Sequence, residues 1–261
     1  MKKIAIASAL FSVFSLTTGT VNAYQAEIGA SAAYVDPDKG SSGSDFGING
    51  TYYFNPVQTR NSPLAEAAFL DRASNVNVHA NFADRGDTDD NTYGAAIGFF
   101  IPNSDFYLGA GIDHNKQKWR RNGAKLDWDT TYYNAEVGYF LAPSLLIAAG
   151  LKGYDNDNDD GVDPTIRAKL ITQLGGRDLN LEAGAAFGDL DEYNLAADYY
   201  IDKTVSVGAD YYKNDLTDVS EFGISASKFF TPQISLAGRI GFGEQFNNDY
   251  NSFGITGKYR F

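Results

Sequence analysis

Chemistry that needs a nucleophile and a base has little to draw on in this chain. Its only histidines are His79 and His114, and cysteine is absent, which removes thiolate nucleophiles, thiolate metal sites and disulfides together. Asp113 and His114 are neighbours in an alternating segment and therefore point to opposite faces of a strand, poor geometry for a carboxylate that must orient an imidazole. The run Asp155-Asn156-Asp157-Asn158-Asp159-Asp160-Gly161 looks like a calcium loop, but such a loop needs glycine at its sixth position and a bidentate glutamate at its twelfth. Counting from Asp155 puts Asp160 sixth, and counting from Asn156 puts Arg167 twelfth. A solvated connection is expected there, with weak divalent-ion binding as the alternative. Arg85-Gly86-Asp87 spells an integrin-type tripeptide too short to carry a function alone. The expectation is no enzyme, no catalytic residue, no bound metal and no cofactor.

What remains is charge placed at every second residue. Glu27, Asp113, Glu136, Glu182, Asp198 and Asp210 are opposed by Arg167, Lys169, Arg239, Lys258 and Arg260, each on the polar side of a segment whose other side is apolar. In Tyr250 to Phe261, Phe253, Ile255, Gly257, Tyr259 and Phe261 alternate with Ser252, Gly254, Thr256, Lys258 and Arg260. A period of two puts these sets on opposite faces of a strand. The same split recurs in Leu179 to Phe187 and in Tyr193 to Ile201.

Marking every such segment predicts strands near 24–35, 45–55, 74–83, 91–101, 105–115, 130–141, 145–154, 164–174, 178–188, 192–202, 204–213, 219–230, 233–243 and 250–261. That count is fourteen, with twelve as the fallback, and an even number suits an antiparallel barrel with both termini on one side. The connections alternate as well. Short ones such as Ala142-Pro143-Ser144, Gly175-Gly176-Arg177 and Thr231-Pro232 take turns with longer acidic ones: Asp36 to Ser44, Asp84 to Asp90, Lys116 to Asp129, Asp155 to Asp163, Asn214 to Asp218 and Glu244 to Asp249. Short periplasmic turns and longer extracellular loops are the signature of an all-β transmembrane barrel. Its apolar faces meet lipid, because an Arg or Lys at the bilayer midplane of that face costs about 2–4 kcal/mol. The ionisable residues named above then line the lumen. Aromatic pairs at strand ends, among them Tyr52-Tyr53, Phe99-Phe100, Tyr132-Tyr133 and Phe229-Phe230, read as interfacial girdles.

Composition agrees. The 261 residues are 43% hydrophobic and 14% aromatic, enough to order the chain, and a formal net charge of −12 makes nucleic acid an unsuitable partner. No apolar run reaches the roughly 18 residues of a membrane-spanning helix. Residues 1–23 read as a signal peptide: Lys2-Lys3, an apolar stretch from Ile4 to Leu16, and small residues at Val21-Asn22-Ala23, with cleavage before Tyr24. The exported barrel is then 24–261. Within it, 56–73 is a periplasmic segment with a short helix, since Leu64 to Ala73 holds helix formers behind Ser62-Pro63. It is read either as a tether against the rim or as a plug entering the lumen.

The stretch GTYYFNPVQTRNSPLAEAAFLDRASNV, Gly50 to Val76, resembles a block near the start of the general bacterial porins of Gram-negative outer membranes, in particular their acidic water-channel members. Tyr24-Gln25-Ala26-Glu27 and the terminal Tyr259-Arg260-Phe261 are similar to that group too. The resemblance implies a fourteen-stranded monomeric barrel with inward-folding loops. The terminal Phe261 resembles the closing-strand signal read by the outer-membrane assembly machinery.

Fourteen strands about 4.8 Å apart and tilted about 40° close at a backbone radius of roughly 14 Å, more than side chains alone fill. Water or a loop must occupy the rest. The candidate constriction is Lys116 to Asp129, carrying Trp119, Arg120, Arg121, Lys125 and Trp128, which either folds in to pair with Glu136 or Asp113 or stays outside against lipopolysaccharide phosphates. The functional expectation is a passive channel for water and small hydrophilic solutes with a mild cation preference, set in outer-membrane lipid and lipopolysaccharide. A closed or plugged barrel serving as an adhesin or structural protein is the alternative.

Overall fold

The computed structural model describes residues 23–121 and 124–261. The signal-peptide expectation for 1–23 therefore lies almost wholly outside the described residues. The chain forms fourteen strands: β1 (Ala23–Pro37), β2 (Gly43–Gln58), β3 (Asn75–Arg85), β4 (Thr88–Phe100), β5 (Phe106–Arg121), β6 (Ala124–Ala142), β7 (Leu145–Asn156), β8 (Asp160–Leu174), β9 (Arg177–Ala186), β10 (Glu192–Asp202), β11 (Val205–Asn214), β12 (Val219–Phe229), β13 (Ile234–Gln245) and β14 (Asn248–Arg260). Each pairs antiparallel with its sequence neighbours, and β1 pairs with β14, so the sheet closes on itself. Closure satisfies every strand's main-chain groups within the ring, which is what a lipid environment demands.

The alternation read from sequence sets the two faces. Val78, Ile112, Val137, Leu151, Leu195 and Ile255 are each more than half exposed on the outside, while their strand neighbours turn inward. The seam shows the register: Glu27 faces Arg260, Gly29 faces Lys258 and Ala33 faces Gly254, all on the inner face. Beyond β14 the chain end completes the closure, as the Phe261 carbonyl accepts the N–H groups of Gln25 and Ala26, both at 2.9 Å. Between β8 and β9, Gly175 and Gly176 both have positive φ, +61° and +77°, the backbone that a two-residue hairpin turn with the sheet's own twist requires.

The connections differ from expectation. At the rim away from the termini the strands run on through most of what read as acidic loops: β3 ends at Arg85 and β4 begins at Thr88, β5 reaches Arg121 and β6 begins at Ala124, β7 reaches Asn156 and β8 begins at Asp160. Main-chain pairing does not need apolar side chains, so the ladder continues above the lipid-facing band wherever cross-strand polar partners are available. The longest connection is instead at the rim that holds the termini, between β2 and β3. It contains a 3-10 turn, Leu64–Glu66, and a one-turn helix, α1 (Ala67–Leu70).

Candidate functional site

Glycine, alanine, serine and asparagine are the commonest inward residues of β1 to β5, while long charged side chains enter mainly from β6 to β14, among them Glu136, Lys152, Arg167, Lys169, Glu182, Glu192, Glu221, Arg239, Lys258 and Arg260. At the foot of the barrel, near the termini, Arg260 donates from Nε to Glu27 at 2.6 Å and from Nη1 to the Leu64 carbonyl at 2.8 Å. Its guanidinium also stacks on the rings of Tyr24 and Phe229, at 4.5 and 4.6 Å. Lys258 adds a second contact to Glu27 at 3.2 Å.

The 3-10 turn and α1 lie inside this foot. Tyr24, Tyr53 and Val57 from β1 and β2 bury Ala67 and Ala73. Glu66, 5% exposed, accepts the hydroxyl of Tyr200 on β10 at 2.7 Å and the ammonium of Lys169 on β8 at 2.9 Å. Phe69 packs on Phe140 of β6 at 5.5 Å, and the Leu64 N–H reaches the Lys203 carbonyl at 2.9 Å, beyond β10. A segment that touches β1, β6, β8, β10 and β14 at once crosses the bore. Of the two readings of 56–73, this geometry matches the plug.

Higher in the bore, Lys169 also meets Glu182 at 2.6 Å, and Asn180 bridges Glu182 and Asp198 at 2.9 and 3.1 Å. Arg167 forms a two-point pair with Glu136 at 2.8 and 2.6 Å and lies over Tyr107. Arg239 is clamped between Asp210 and Glu221. His79 Nε2 and Asp113 Oδ1 approach to 2.8 Å across β4, where Gly94 leaves the gap: a Cβ there would sit 1.9 Å from Asp113 Oδ1. At the far mouth, the Asp163 carboxylate accepts the N–H groups of Asp189 and Leu190 at 3.1 and 2.6 Å. That draws Leu190 inward onto Tyr154 and Tyr132.

All eleven residues expected to face the lumen, Glu27, Asp113, Glu136, Arg167, Lys169, Glu182, Asp198, Asp210, Arg239, Lys258 and Arg260, occupy inner-face positions. The constriction segment behaves differently. Residues 116–121 and 124–129 are paired strand, with Trp119 opposite Leu126 and Arg120 opposite Lys125, so they form a raised hairpin and no in-folded loop. Lys116 and Arg120 point outward to Asp129 and Asp89, at 3.6 and 3.8 Å, and Lys125 is exposed. The Arg121 side chain lies outside the described residues. Glu136 and Asp113, the carboxylates expected to meet this segment, are engaged by Arg167 and His79.

The sequence reading gives no lumen contact to Glu66, Tyr200, Asn180, Tyr107, Asp163 or Leu190: it takes Glu66 as a helix former, Tyr200 as part of an interfacial girdle and Asn180 as one residue of a polar strand face. Only Glu66 carried a local signal, as a lone carboxylate between alanines that the lid-like segment buries. Asp155 to Gly161 becomes the β7–β8 turn, with Asn156 Oδ1 accepting the N–H groups of Asn158 and Asp159 at 2.9 and 3.0 Å. Among the described residues no three acidic or histidine side chains gather into a cation site.

A closed antiparallel ring with an apolar exterior and a polar, ion-paired interior is a membrane-spanning β-barrel of the channel type. Residues 1–164 match the model of the family described as "Putative general bacterial porin", and the chain belongs to that family. It is a porin, a barrel of the outer membrane. The outer membrane protein Omp33 of Acinetobacter baumannii is similar over 92% of this chain and 99% of its own, with 25% identity and a TM-score of 0.69. The CymD monoaromatic hydrocarbon channel (91% and 89% covered, TM-score 0.56) and the toluene transporter TodX of P. putida (92% and 91%, TM-score 0.55) share the fold at 9% identity. The comparison with curated proteins finds no match.

Proposed function

We propose that this porin is a monomeric passive channel for water and small hydrophilic solutes, exported with a cleaved signal peptide and inserted by the outer-membrane assembly machinery through its last strand and Phe261. The observation that carries it is the polar interior: an inner face of amides, hydroxyls and paired charges, with Asn81, Ala96 and Asn134 exposed although they point inward. Such a wall holds water where an apolar filling would exclude it. The segment that carries Glu66 narrows the foot, which favours small solutes over large ones.

A mild cation preference follows from carboxylates whose hydrogen-bond donors are neutral. Asp90 is held by Asn115 and Gln117, Asp198 by Asn180 and Asp163 by main-chain N–H groups. Their charge adds to that of the acidic mouth and raises the local cation concentration. The surface role as an adhesin is less suited to connections of two to five residues such as 86–87, 157–159 and 187–191.

Planar-bilayer recording tests the reading, on protein whose heat-dependent gel mobility shows a folded barrel. Discrete current steps proportional to salt are expected, with a reversal potential of cation sign in a salt gradient. A folded barrel that passes neither ions nor, in vesicle swelling, glycerol would overturn it.

A further inference from the structure

The interior is not evenly furnished. Across β3 to β6 one inner row reads Asn77, Ala96, Gly111, Asn134, each opposite the next, and the row below it brings Gly98 opposite Gly109. Little side-chain volume stands out along the first of these rows, whereas the lower one is covered: Gly98 is buried beneath Tyr107, and Phe100, Tyr107 and Phe140 narrow the foot of this wall together with Phe69. Ala96 and Asn134 are exposed while facing the bore, as is Asn81 higher on β3, above His79, so the space in front of them is large enough for water.

The sector formed by β7 to β10 is filled. Leu146, Ala148, Tyr154 and Ile171 are buried on its inner face, Leu190 folds over its mouth, and Arg167 and Lys169 are tied to Glu136, Glu182 and Glu66. Strands β11 to β13 hold the Arg239 clamp.

From this asymmetry, and resting on the channel reading above, we infer that solutes travel along a lane on the inner face of β3 to β6, and that the lane takes small uncharged molecules that both donate and accept hydrogen bonds, the class of urea and the short polyols. The reason is chemical. Asn77 has its amide nitrogen engaged by the Gly50 carbonyl and the Thr51 hydroxyl and turns only a carbonyl to the lane. An asparagine such as Asn134 instead offers two donors and a carbonyl acceptor without charge, so a urea or glycerol molecule can exchange its water hydrogen bonds for wall hydrogen bonds at little net cost. An ion gains less from a wall of neutral amides and must pass the Arg167–Glu136 ion pair below the lane, while His79 and Asp113 contact each other above it. Asp90, nearer the mouth, is covered by Asn115 and Gln117.

The test compares obstructions on two walls, in vesicles of outer-membrane phospholipid carrying the full mature protein, with swelling in urea and in glycerol as readouts. Ala96→Phe places a ring in the lane and is expected to slow both solutes by about threefold or more, since permeation follows the free cross-section. Ser225→Phe, on the inner face of β12 across the bore, is expected to change them less than about twofold by the same argument. Asn134→Leu keeps the size of the side chain and removes its hydrogen bonds. It is expected to slow urea while potassium chloride conductance stays within about twofold of the unaltered protein. All three are scored only on heat-modifiable, folded material, and Asn134→Leu keeps the test open should the phenylalanine at 96 prevent folding. Equal slowing by Ala96→Phe and Ser225→Phe, or urea flux indifferent to Asn134→Leu, would overturn the lane while leaving the channel intact. An unaltered protein that admits neither solute nor ions would remove the channel reading itself.

Discussion

Glu66, from the connection between β2 and β3, places its carboxylate 2.9 Å from the ammonium of Lys169 on β8. The contact spans the inside of the barrel. It ties the foot segment to the wall opposite its point of entry, and the Tyr200 hydroxyl, 2.7 Å from the other carboxylate oxygen, holds it from a second strand.

Removal of that carboxylate should loosen the segment. In Glu66→Ala, Lys169 keeps Glu182, so the loss is smaller than for a fully orphaned buried charge, about 2 kcal/mol. A lower urea midpoint for loss of the folded gel form is expected, together with current steps raised about twofold or more as the foot widens. Unchanged steps in a folded Glu66→Ala barrel would mean that the segment does not limit conduction.

Arg260 should matter more for stability than for transport. It is 4% exposed and joins the seam strands through Glu27 while holding the Leu64 carbonyl. Arg260→Ala leaves Glu27 with Lys258 alone, at 3.2 Å, and is expected to cost about 3 kcal/mol. The double variant Glu27→Gln/Arg260→Gln, free of the stranded charge, should recover part of that loss. Additive losses in a double-mutant cycle would show the two residues to be uncoupled.

The two faces of β14 give a paired prediction. Ile255 is 51% exposed on the outer face and Thr256 points inward. Arginine at 255 is expected to cost about 2–4 kcal/mol in folding into bilayers, whereas arginine at 256 should cost less than about 1 kcal/mol because its charge reaches the bore. The free energy of folding into short-chain phosphatidylcholine vesicles distinguishes them, and the reverse ranking would contradict the assignment of faces.

Selectivity should fall when the amide-held carboxylates are neutralised. In Asp90→Asn/Asp198→Asn a smaller cation reversal potential is expected in a dilute salt gradient. The difference should shrink toward 1 M salt, where the screening length is about 3 Å. An unaltered reversal potential at low salt would assign the preference to charges outside the bore.

The raised β5–β6 hairpin makes the opposite prediction from an in-folded loop. Shortening it by exchanging residues 118–127 for a two-residue turn should leave conductance within about twofold, because the ladder carries Trp119 and Leu126, on its bore-side face, up beyond the rim as paired strand, with Lys116 and Arg120 turned outward to Asp129 and Asp89. A large increase in current would show that the hairpin does obstruct the path.

The strands were legible because each carries its own evidence. Phe253, Ile255 and Tyr259 against Ser252, Thr256 and Lys258 define two faces without reference to any other part of the chain, and the inner placement of Arg167, Lys169 and Glu182 follows from the same local period. The hairpin at 116–129 is not legible in the sequence, for the converse reason. Its strand character comes from cross-strand partners such as Trp128 Nε1 to Gln117 at 2.5 Å, and pairing of this kind leaves no periodic apolar signal in a highly charged stretch.

The sequence by itself determined the closed, two-faced barrel, its strand number and the charges that enter its interior, since a period of two and the cost of charge in lipid act residue by residue. Only the tertiary structure decided which of those charges meet, that Glu66 crosses to Lys169 and Tyr200, that Leu190 tucks over the mouth, and that Ala96 and Asn134 stay exposed while facing the bore. Those relations depend on distances across the bore, which closure of the ring sets and no local pattern records.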